Sequence, residues 1–289
     1  MGFAQARPAP SAAWSARLAR IDGLARTALA QELACPYKPG LVSPQDCGAH
    51  PDMDAATFVR SIAALRGCFA ELAGAGADGA RFDELARVGR AAEARMLRAT
   101  GGRNTHRGAI FTLGLLAAAA GRLHACARAS ARQLCRTVAQ EWGADILRAA
   151  PAGPARTHGD FVRCRYRVPG AREQAAAGFP VVLDHALPAL RAASPAGRKR
   201  ASLQALYTIL LVLDDNNLLY RGGEEGLAFA RAEARRFLEA GGMAQPRAWA
   251  RAAEVHRRFV ARNLSPGGAA DLLAATLFVD ACERRGWET

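Results

Sequence analysis

The stretch AIFTLGLLAAAAG, residues 109–121, decides the fold because it is the longest apolar run in the chain. A helix that crosses a bilayer needs about 20 apolar residues, so this run is too short to be a membrane span. An apolar run of this length fits a helix that is buried in a protein core. We therefore predict a buried helix over residues 105–127.

The sequence on either side of this run is also patterned for helices. Phe58, Ile62, Leu65, Phe69 and Leu72 are separated by four, three, four and three residues, which predicts one helix over 53–74. The only β-like run is VRCRYRV, at 162–168. Similar patterns predict further helices at 13–34, 82–96, 130–149, 171–190, 200–220, 224–241, 246–262 and 268–284.

These patterns predict an all-α fold in a single compact domain that covers residues 1–289. We find no internal repeat in the sequence. Residues 1–12 are expected to be flexible, and the Pro- and Gly-rich segment 150–170 is expected to be a surface excursion within the domain.

Composition excludes several classes of protein. The chain has 51% hydrophobic and 22% charged residues, which is typical of a globular protein rather than a disordered one. The net charge of +13 would suit nucleic acid, but the arginines are scattered along every helix and no aromatic residues alternate with them. We attribute the charge to a drift towards Ala and Arg and expect no nucleic-acid partner.

The N-terminal sequence and the cysteines favour a cytoplasmic protein. MGFAQARPAP leads into an amphipathic helix and not into a continuous apolar region, so we expect no signal peptide and no membrane partner. The seven cysteines include no CxxC pair, which predicts reduced thiols and neither a zinc site nor a disulfide framework.

Four short polar islands interrupt the helical pattern. Each contains glycine beside residues that can do chemistry, which exceeds the needs of a simple helix connection. Binding and catalytic groups concentrate in loops that a rigid scaffold positions, so we predict that the islands form the walls of one site. They read KPGLVSPQDCGAHPDMD (38–54), GGRNTHRG (101–108), LDDNNLLYRGGEEG (213–226) and NLSPGGAADLL (263–273).

The first island combines a lysine with two acids. Lys38 is one of only two lysines among 39 basic residues, which suggests either a site for a compact ammonium or chance. Gly40 permits a backbone conformation that is closed to other residues. Asp52 is the expected N-cap of the next helix. Asp52 and Asp54, beside His50, would also suit Mg²⁺ bound to a polyphosphate, and both readings stay open.

The second island opens the apolar helix. Asn104 or Thr105 is the expected cap, and the exposed N–H groups behind it make an anion site. His106 and Arg107 lie in the first turn, where a cation opposes the helix dipole, so a bound phosphate would explain them. A buried structural histidine is the alternative for His106.

The third island places adjacent acids at the end of a buried helix. Asp214 and Asp215 follow the apolar segment LQALYTILLVL directly, which is costly unless a metal ion or a cation compensates them. An internal Arg–Asp ion pair is the simpler explanation. Asn217 and Arg221 follow and are expected to contribute to binding.

The fourth island opens the last helix. Ser265 is the expected N-cap with Pro266 at the first helical position. The double glycine, Gly267 and Gly268, exceeds this capping chemistry and would point its N–H groups outward, with Asp271 one turn further on. Because no P-loop, Rossmann, GxSxG or HExxH motif occurs, the residues alone predict a composite, metal-assisted site for a polyphosphate or nucleotide.

In this order, the blocks resemble the triphosphoribosyl-dephospho-CoA synthase family over residues 28–280. The blocks are KPGLV with GAHPDMD, AEARMLRATGGRNTHRGAIFTLGLL, REQAAAGFPVVLDHALPAL, DDNNLLYRGGEEGL and RNLSPGGAADLLAATLFVD. The resemblance implies an all-helical enzyme that moves the triphosphoribosyl unit of ATP onto 3′-dephospho-CoA and releases adenine. The product would be passed to a transferase that attaches the prosthetic group to the acyl-carrier protein of citrate lyase or malonate decarboxylase.

Given that reaction, the islands supply each required group. The expected catalytic residues are Asp215, His106 and Asp52. The expected Mg²⁺ ligands are Asp52, Asp54, Asp215 and Asp271. The expected substrate and phosphate ligands are Lys38, Gly40, Asn104, Thr105, Asn217, Arg221, Ser265, Gly267 and Gly268. The chain departs from the family pattern at Ser43, Arg103 and Asn216, which leaves the roles of positions 43 and 216 open.

Two other functional classes remain at this stage. A helical, Mg²⁺-dependent hydrolase of a nucleotide or an ADP-ribose-like substrate would use the same acids on water. A non-enzymatic helical adaptor would release no adenine and would leave the acids at 214 and 215 without a purpose.

Overall fold

The computed structural model describes residues 11–126, 128–149 and 158–286, without the side chains of His158 and Asp160. Within these ranges the protein is built from helices and contains no strand, so the predicted all-α fold is confirmed. The helices are α1 Ala12–Leu33, α2 Ala55–Ala64, α3 Cys68–Ala77, α4 Phe82–Ala99, α5 Arg107–Arg122, α6 Ala131–Arg148, α7 His158–Tyr166, α8 Ala171–Ala176, α9 Leu187–Ala193, α10 Arg198–Val212, α11 Asn216–Glu239, α12 Ala248–Ala261 and α13 Gly267–Arg285. A π-helix, Val181–Ala186, precedes α9, and short 3₁₀ turns lie at Ser194–Ala196 and Gly242–Ala244.

Helix α5 is the centre of the fold, as the apolar run at 109–121 predicts. It packs against α1, α3, α4, α6 and α13. Glycines bring α3 and α5 into backbone contact: a Cβ at Gly76 would lie 2.0 Å from the carbonyl oxygen of Ala118, and one at Gly121 would lie 1.8 Å from that of Ala73. Only glycine permits this approach. Helix α1 also packs against α13, which joins the two ends of the described chain.

The predicted helix over 53–74 is wrong in one respect, because it is two helices. Helix α2 ends before Gly67, which has a φ of 81°. The buried carboxylate of Asp22, on α1, accepts hydrogen bonds from the backbone nitrogens of Gly67 and Phe69 at 3.0 and 3.2 Å. The break between α2 and α3 is therefore stabilised by Asp22, which is distant in sequence, and the local periodicity does not reveal this contact.

Three other predicted elements differ from the structure. The predicted helix at 171–190 is interrupted at Gly178 and Phe179, which both have positive φ. The predicted helix at 200–220 ends at Val212, and the break predicted between 220 and 224 is a kink inside α11, where Gly223 has a φ of 61°. The β-like run at 162–168 lies mostly in α7, because Val162 and Tyr166, four residues apart, also fit a helical period.

Two expectations fall partly outside the described residues. The expected flexible segment, 1–12, lies outside them except for its last two positions. The expected surface excursion, 150–170, is described from residue 158 onward, where α7 packs against α11. Among the described helices, none combines the length and the apolar character that crossing a membrane requires.

Candidate active site

The four polar islands meet at one cavity of about 1470 Å³. Its walls include the loop before α2 and the N-terminal turns of α5, α11 and α13. Twelve of the fourteen residues expected to bind or react line this cavity: Lys38, Asp52, Asn104, Thr105, His106, Asp215, Asn217, Arg221, Ser265, Gly267, Gly268 and Asp271. Three helix N-termini therefore face one cavity, and their dipoles favour an anion there.

The remaining two residues, Gly40 and Asp54, do not line the cavity. Gly40 has a φ of 66°, and a Cβ there would lie 1.9 Å from the carbonyl oxygen of Leu264, so the glycine lets two islands touch. Asp54 Oδ1 accepts a hydrogen bond from the backbone nitrogen of Thr57 at 2.8 Å and caps α2. The expectation that Asp52 is this cap is wrong, because the helix begins two residues later and leaves Asp52 exposed.

Asp215 joins two of the converging helices. Its Oδ1 accepts from the backbone nitrogens of Asn217 and Leu218 at 2.8 and 3.1 Å, which caps α11. Its Oδ2 accepts from the backbone nitrogen of Ala269, in the first turn of α13, at 2.7 Å. Burial raises the pKa of Asp215 to about 6, although these backbone hydrogen bonds lower it. Ser265 is therefore not the cap of α13: Pro266, expected at the first helical position, is the boundary residue, and the carboxylate of Asp215 accepts from the first turn.

Asp271 links α13 to α5. Its carboxylate accepts a hydrogen bond from the backbone nitrogen of Ala109. A Cβ at Gly108 would lie 1.9 Å from Asp271 Oδ2, so only glycine leaves room for this carboxylate. Burial raises the pKa of Asp271 well above its usual value, and the charges of Asp215 and Glu32 raise it further. Three acids, Glu32, Asp215 and Asp271, thus lie near one another in the cavity wall, and we call this part of the wall the floor.

Lys38 is a cation at this floor among the described residues. Lys38 is buried and forms an ion pair with Glu32, which is also buried and lines the cavity. The charge of Lys38 is therefore balanced by Glu32, and Asp215 and Asp271 have no comparable side-chain partner among the described contacts. Asp214 is different, because it pairs with Arg231 at 2.8 Å. The ion pair that the sequence left open exists for Asp214.

His106 is the N-terminal boundary residue of α5 and is 3% exposed. Its Nδ1 lies 2.6 Å from the hydroxyl of Ser61, and its Nε2 is buried without a hydrogen-bond partner in the described structure. Burial, with a smaller contribution from Lys38, lowers the pKa of His106 to about 3. The imidazole is therefore neutral and does not oppose the helix dipole as a cation would. Asn104 Oδ1 accepts from the backbone nitrogen of Arg107 at 3.1 Å, as a capping group does.

Arg221 joins the first, third and fourth islands. We call the part of the cavity beside Arg221, His50 and Ser265 its mouth. Arg221 Nη1 donates to the carbonyl oxygens of Ala49 and Asn263 at 2.9 and 3.2 Å. Its Nη2 donates to His50 Nδ1 at 3.2 Å, so His50 carries its proton on Nε2 and donates to Ser265 Oγ at 2.7 Å. Burial lowers the pKa of His50 to about 4, and Arg221 adds to this effect. The hydroxyl hydrogen of Ser265 stays free to bind an anion.

Glycines and amides complete the wall between α11 and α13. A Cβ at Gly267 would lie 2.1 Å from Asn217 Nδ2, and one at Gly268 would lie 3.1 Å from Asp215 Oδ2. The double glycine of the fourth island therefore lets α13 approach the start of α11. At the adjacent wall, Arg172 Nη1 is buried and has no hydrogen-bond partner among the described residues.

Sequence reasoning missed Glu32, Ser61 and Arg172. Glu32 lies six residues before Lys38, with which it forms an ion pair. The rarity of lysine in this chain drew attention to Lys38 but gave no signal for Glu32. Ser61 lies three residues after Phe58 and four before Leu65, so a hydroxyl at a helical spacing from apolar residues was a usable signal. Arg172 offers no signal among so many arginines.

The sequence profile of the CitG family, described as ATP:dephospho-CoA triphosphoribosyl transferase, matches residues 18–289. The chain belongs to this family. It is 44% identical over 268 residues to a CitG-family relative from Pseudomonas paraeruginosa, covering 90% of this chain and 89% of that protein. It is 43% identical over 286 residues to one from Stutzerimonas stutzeri, covering 95% and 94%.

A third relative, from Acinetobacter calcoaceticus, is 41% identical over 263 residues, with 90% of each chain covered. All three relatives are named probable 2-(5''-triphosphoribosyl)-3'-dephosphocoenzyme-A synthase. No solved structure matches the chain significantly. The family that the sequence blocks resemble is thus confirmed, and the chain is a member of a transferase family.

Proposed function

We propose that this CitG-family protein transfers the 5-triphosphoribosyl group of ATP to the ribose 2′-hydroxyl of 3′-dephospho-CoA and releases adenine. The observation that carries the proposal is the convergence of three helix N-termini on a cavity whose floor holds three acids. The mouth suits the triphosphate, and the floor suits the positive charge that develops on the ribose.

The triphosphate-binding half of the proposal rests on three helix dipoles and on side-chain donors at the cavity. The dipoles of α5, α11 and α13 favour an anion at their N-termini, although Asn104, Asp215 and Asp271 already accept most of the first-turn N–H groups. The free hydroxyl hydrogen of Ser265 adds a side-chain donor. Arg172 Nη1 is buried without a hydrogen-bond partner among the described residues, so it would donate to a phosphate oxygen. Arg221 has a different role, because its Nη1 and Nη2 atoms hold the walls together at Ala49, Asn263 and His50.

The ribose half of the proposal rests on uncompensated negative charge. In the reaction, the C1′–N9 bond of ATP breaks, its electron pair leaves on adenine, and the 2′-hydroxyl oxygen of the acceptor bonds to C1′. By analogy with glycoside hydrolysis, the ribose becomes oxocarbenium-like in the transition state. Asp271 and Asp215 would stabilise that charge, since both lie in the floor and Lys38 is already paired with Glu32.

We assign different roles to the two aspartates. Both oxygens of Asp215 accept backbone hydrogen bonds, which makes it a residue that fixes α11 against α13. Asp271 accepts one backbone hydrogen bond and has a strongly raised pKa, which suits a carboxylate that accepts the proton of the attacking hydroxyl. The net proton balance moves that proton to the departing adenine.

Magnesium fits the chemistry of this donor set. The described residues contain no group of three or more His, Cys, Asp or Glu side chains arranged as metal ligands. Mg²⁺ in phosphate sites is commonly held by one or two carboxylates and by substrate oxygens, so Asp52, which lines the cavity mouth, would hold it with oxygens of the triphosphate. When bound, it would neutralise phosphate charge.

The product would serve a second protein. It carries the triphosphoribosyl group on dephospho-CoA, so an enzyme that transfers this unit to an acyl-carrier protein would consume it. We propose such a prosthetic-group transferase as the downstream partner of this protein.

Mass spectrometry of a reaction with ATP, Mg²⁺ and 3′-dephospho-CoA tests the proposed function. The expected product has the mass of ATP plus dephospho-CoA minus adenine, with one adenine released per product. Omitting either substrate should abolish both signals. Adenine release without dephospho-CoA would indicate the hydrolase instead, and no adenine release under any condition would indicate a non-enzymatic adaptor.

A further inference from the structure

A chain of three side chains ends at the orphaned nitrogen of His106. Thr105 Oγ1 donates to Ser61 Oγ at 2.8 Å, and Ser61 Oγ lies 2.6 Å from His106 Nδ1. Ser61 is 0% exposed, on the buried face of α2. Phe58 packs against the imidazole edge-on, with ring centroids 5.0 Å apart, and limits its rotation. The imidazole is therefore held by α2, and His106, whose Nε2 has no partner among the described residues, lines the cavity.

The hydrogen bonds of Ser61 determine which imidazole nitrogen carries the proton. A serine hydroxyl has one hydrogen and two lone pairs. Because Thr105 donates to Ser61, one lone pair is used, and the hydrogen of Ser61 has His106 Nδ1 as its acceptor in the described structure. If Nδ1 carried the proton instead, it would donate to Ser61 and Ser61 would donate to Thr105 Oγ1, which would leave the hydroxyl hydrogen of Thr105 without an acceptor among the described residues.

We propose that Ser61 is a positioning residue: the Thr105–Ser61 relay holds His106 as the neutral Nε2–H tautomer, which donates a hydrogen bond to a ring nitrogen of the departing adenine. The proposal deepens the proposed function and rests on it for the identity of the base. As the C1′–N9 bond breaks, its electron pair moves onto the purine. The Nε2–H group stabilises that charge while the proton stays on His106.

The tautomer can be read directly by NMR in the protein without substrate. The chain contains six histidines, so two-bond ¹H–¹⁵N spectra of uniformly ¹⁵N-labelled protein are simple, and His106→Gln assigns the signal. We expect a protonated-type ¹⁵N shift at Nε2 and an unprotonated-type shift at Nδ1. In Ser61→Ala this preference should weaken. The opposite tautomer in the unmodified protein would overturn the proposal.

Kinetics test the consequence of the relay. Ser61→Ala should lower kcat on the order of 10-fold while KM for ATP changes less than about 2-fold, because the donor is misaligned and not removed. Thr105→Val, which removes only the outer hydroxyl, should lower kcat in the same direction by a smaller factor. Unchanged kcat in both variants would overturn the proposal.

Ser202 provides a matched control. It is 1% exposed on α10, lies outside the cavity, and its hydroxyl has no hydrogen-bond partner in the described structure. Ser202→Ala should leave both the His106 shifts and kcat unchanged. The two readouts also separate the proposals: absence of adenine release from the unmodified protein would refute the transferase, whereas the NMR result decides the tautomer independently.

Discussion

Asp215 Oδ2 accepts a hydrogen bond from the backbone nitrogen of Ala269 at 2.7 Å, across a separation of 54 residues. Since Oδ1 of the same carboxylate caps α11, one side chain fixes the N-termini of two helices. Asp271 extends this arrangement to a third helix, α5. The site is therefore assembled by carboxylates that bind helix ends, and their charges are available to a ligand in the cavity.

We expect Asp215→Asn to destabilise the protein. An amide presents a nitrogen where one carboxylate oxygen was, so one of the backbone N–H groups of Asn217, Leu218 or Ala269 loses its acceptor. The cost should be about 1–3 kcal/mol in the free energy of unfolding, measured by urea titration. Asp54→Asn is the matched control, because asparagine caps a helix as well as aspartate does and Asp54 lies outside the cavity. Equal stability changes in the two variants would contradict the two-helix role.

Asp271→Asn should stabilise the protein, whereas Asp215→Asn should destabilise it. An amide oxygen can still accept from the backbone nitrogen of Ala109, and the variant removes a buried charge that faces Asp215 and Glu32. The carboxylate should be needed for turnover, so kcat should fall about 10²–10⁴-fold. A variant with unchanged kcat would remove Asp271 from the reaction.

The pH dependence of stability follows from the raised pKa of Asp271. The folded state keeps this carboxyl protonated to a higher pH than the unfolded state does. At a pH above its usual pKa of 3.8, folding is therefore coupled to the uptake of a proton. The unmodified protein should therefore lose stability relative to Asp271→Asn as pH rises above about 4. Paired urea titrations between pH 4 and pH 8 measure this difference. A difference that does not change with pH would show that the carboxyl titrates normally.

Gly108→Ala should disable the site without unfolding the protein. The added methyl group would lie 1.9 Å from Asp271 Oδ2, so the carboxylate must move away, and alanine otherwise suits the first turn of α5. We expect kcat to fall at least about 10²-fold with little change in thermal stability. Gly23→Ala, in α1 with no atom near the new Cβ, should retain full activity. Full activity in Gly108→Ala would show that the position of Asp271 does not matter.

The Glu32–Lys38 pair should show strong coupling. Replacing Lys38 alone with Met leaves Glu32 buried without a partner, which should cost about 3–5 kcal/mol of stability. Adding Glu32→Gln should recover part of that loss, because the uncompensated charge is removed. A double-mutant cycle on unfolding free energies measures the coupling. Additive effects would mean that the two groups do not interact.

The sequence predicted the helical core and the residues at the cavity better than it predicted the connections. The apolar run of α5 and the glycine-rich islands have local signals in the sequence. These signals are the length of the apolar run and the turn-forming residues of the islands. The break at Gly67 depends on Asp22, 45 residues away, and the start of α13 depends on Asp215. Such contacts have no local signature, so one long helix was predicted at 53–74 and Ser265 was expected to cap α13.

The roles of individual site residues were less predictable for the same reason. Lys38 was expected to bind phosphate, but its buried partner Glu32 lies on a helix where nothing in the periodicity distinguishes it. His106 was expected to be a first-turn cation or a structural histidine. Its burial and its contact with Ser61, which determine its charge state, depend on how α2 packs against α5.

The most direct test is to measure adenine released from ATP, with and without 3′-dephospho-CoA, by the unmodified protein and by Asp271→Asn. If the cavity is the active site of a transferase, release should require the acceptor, should equal product formation, and should fall about 10²-fold or more in the variant. Acceptor-independent release, or release that Asp271→Asn leaves unchanged, would contradict that claim.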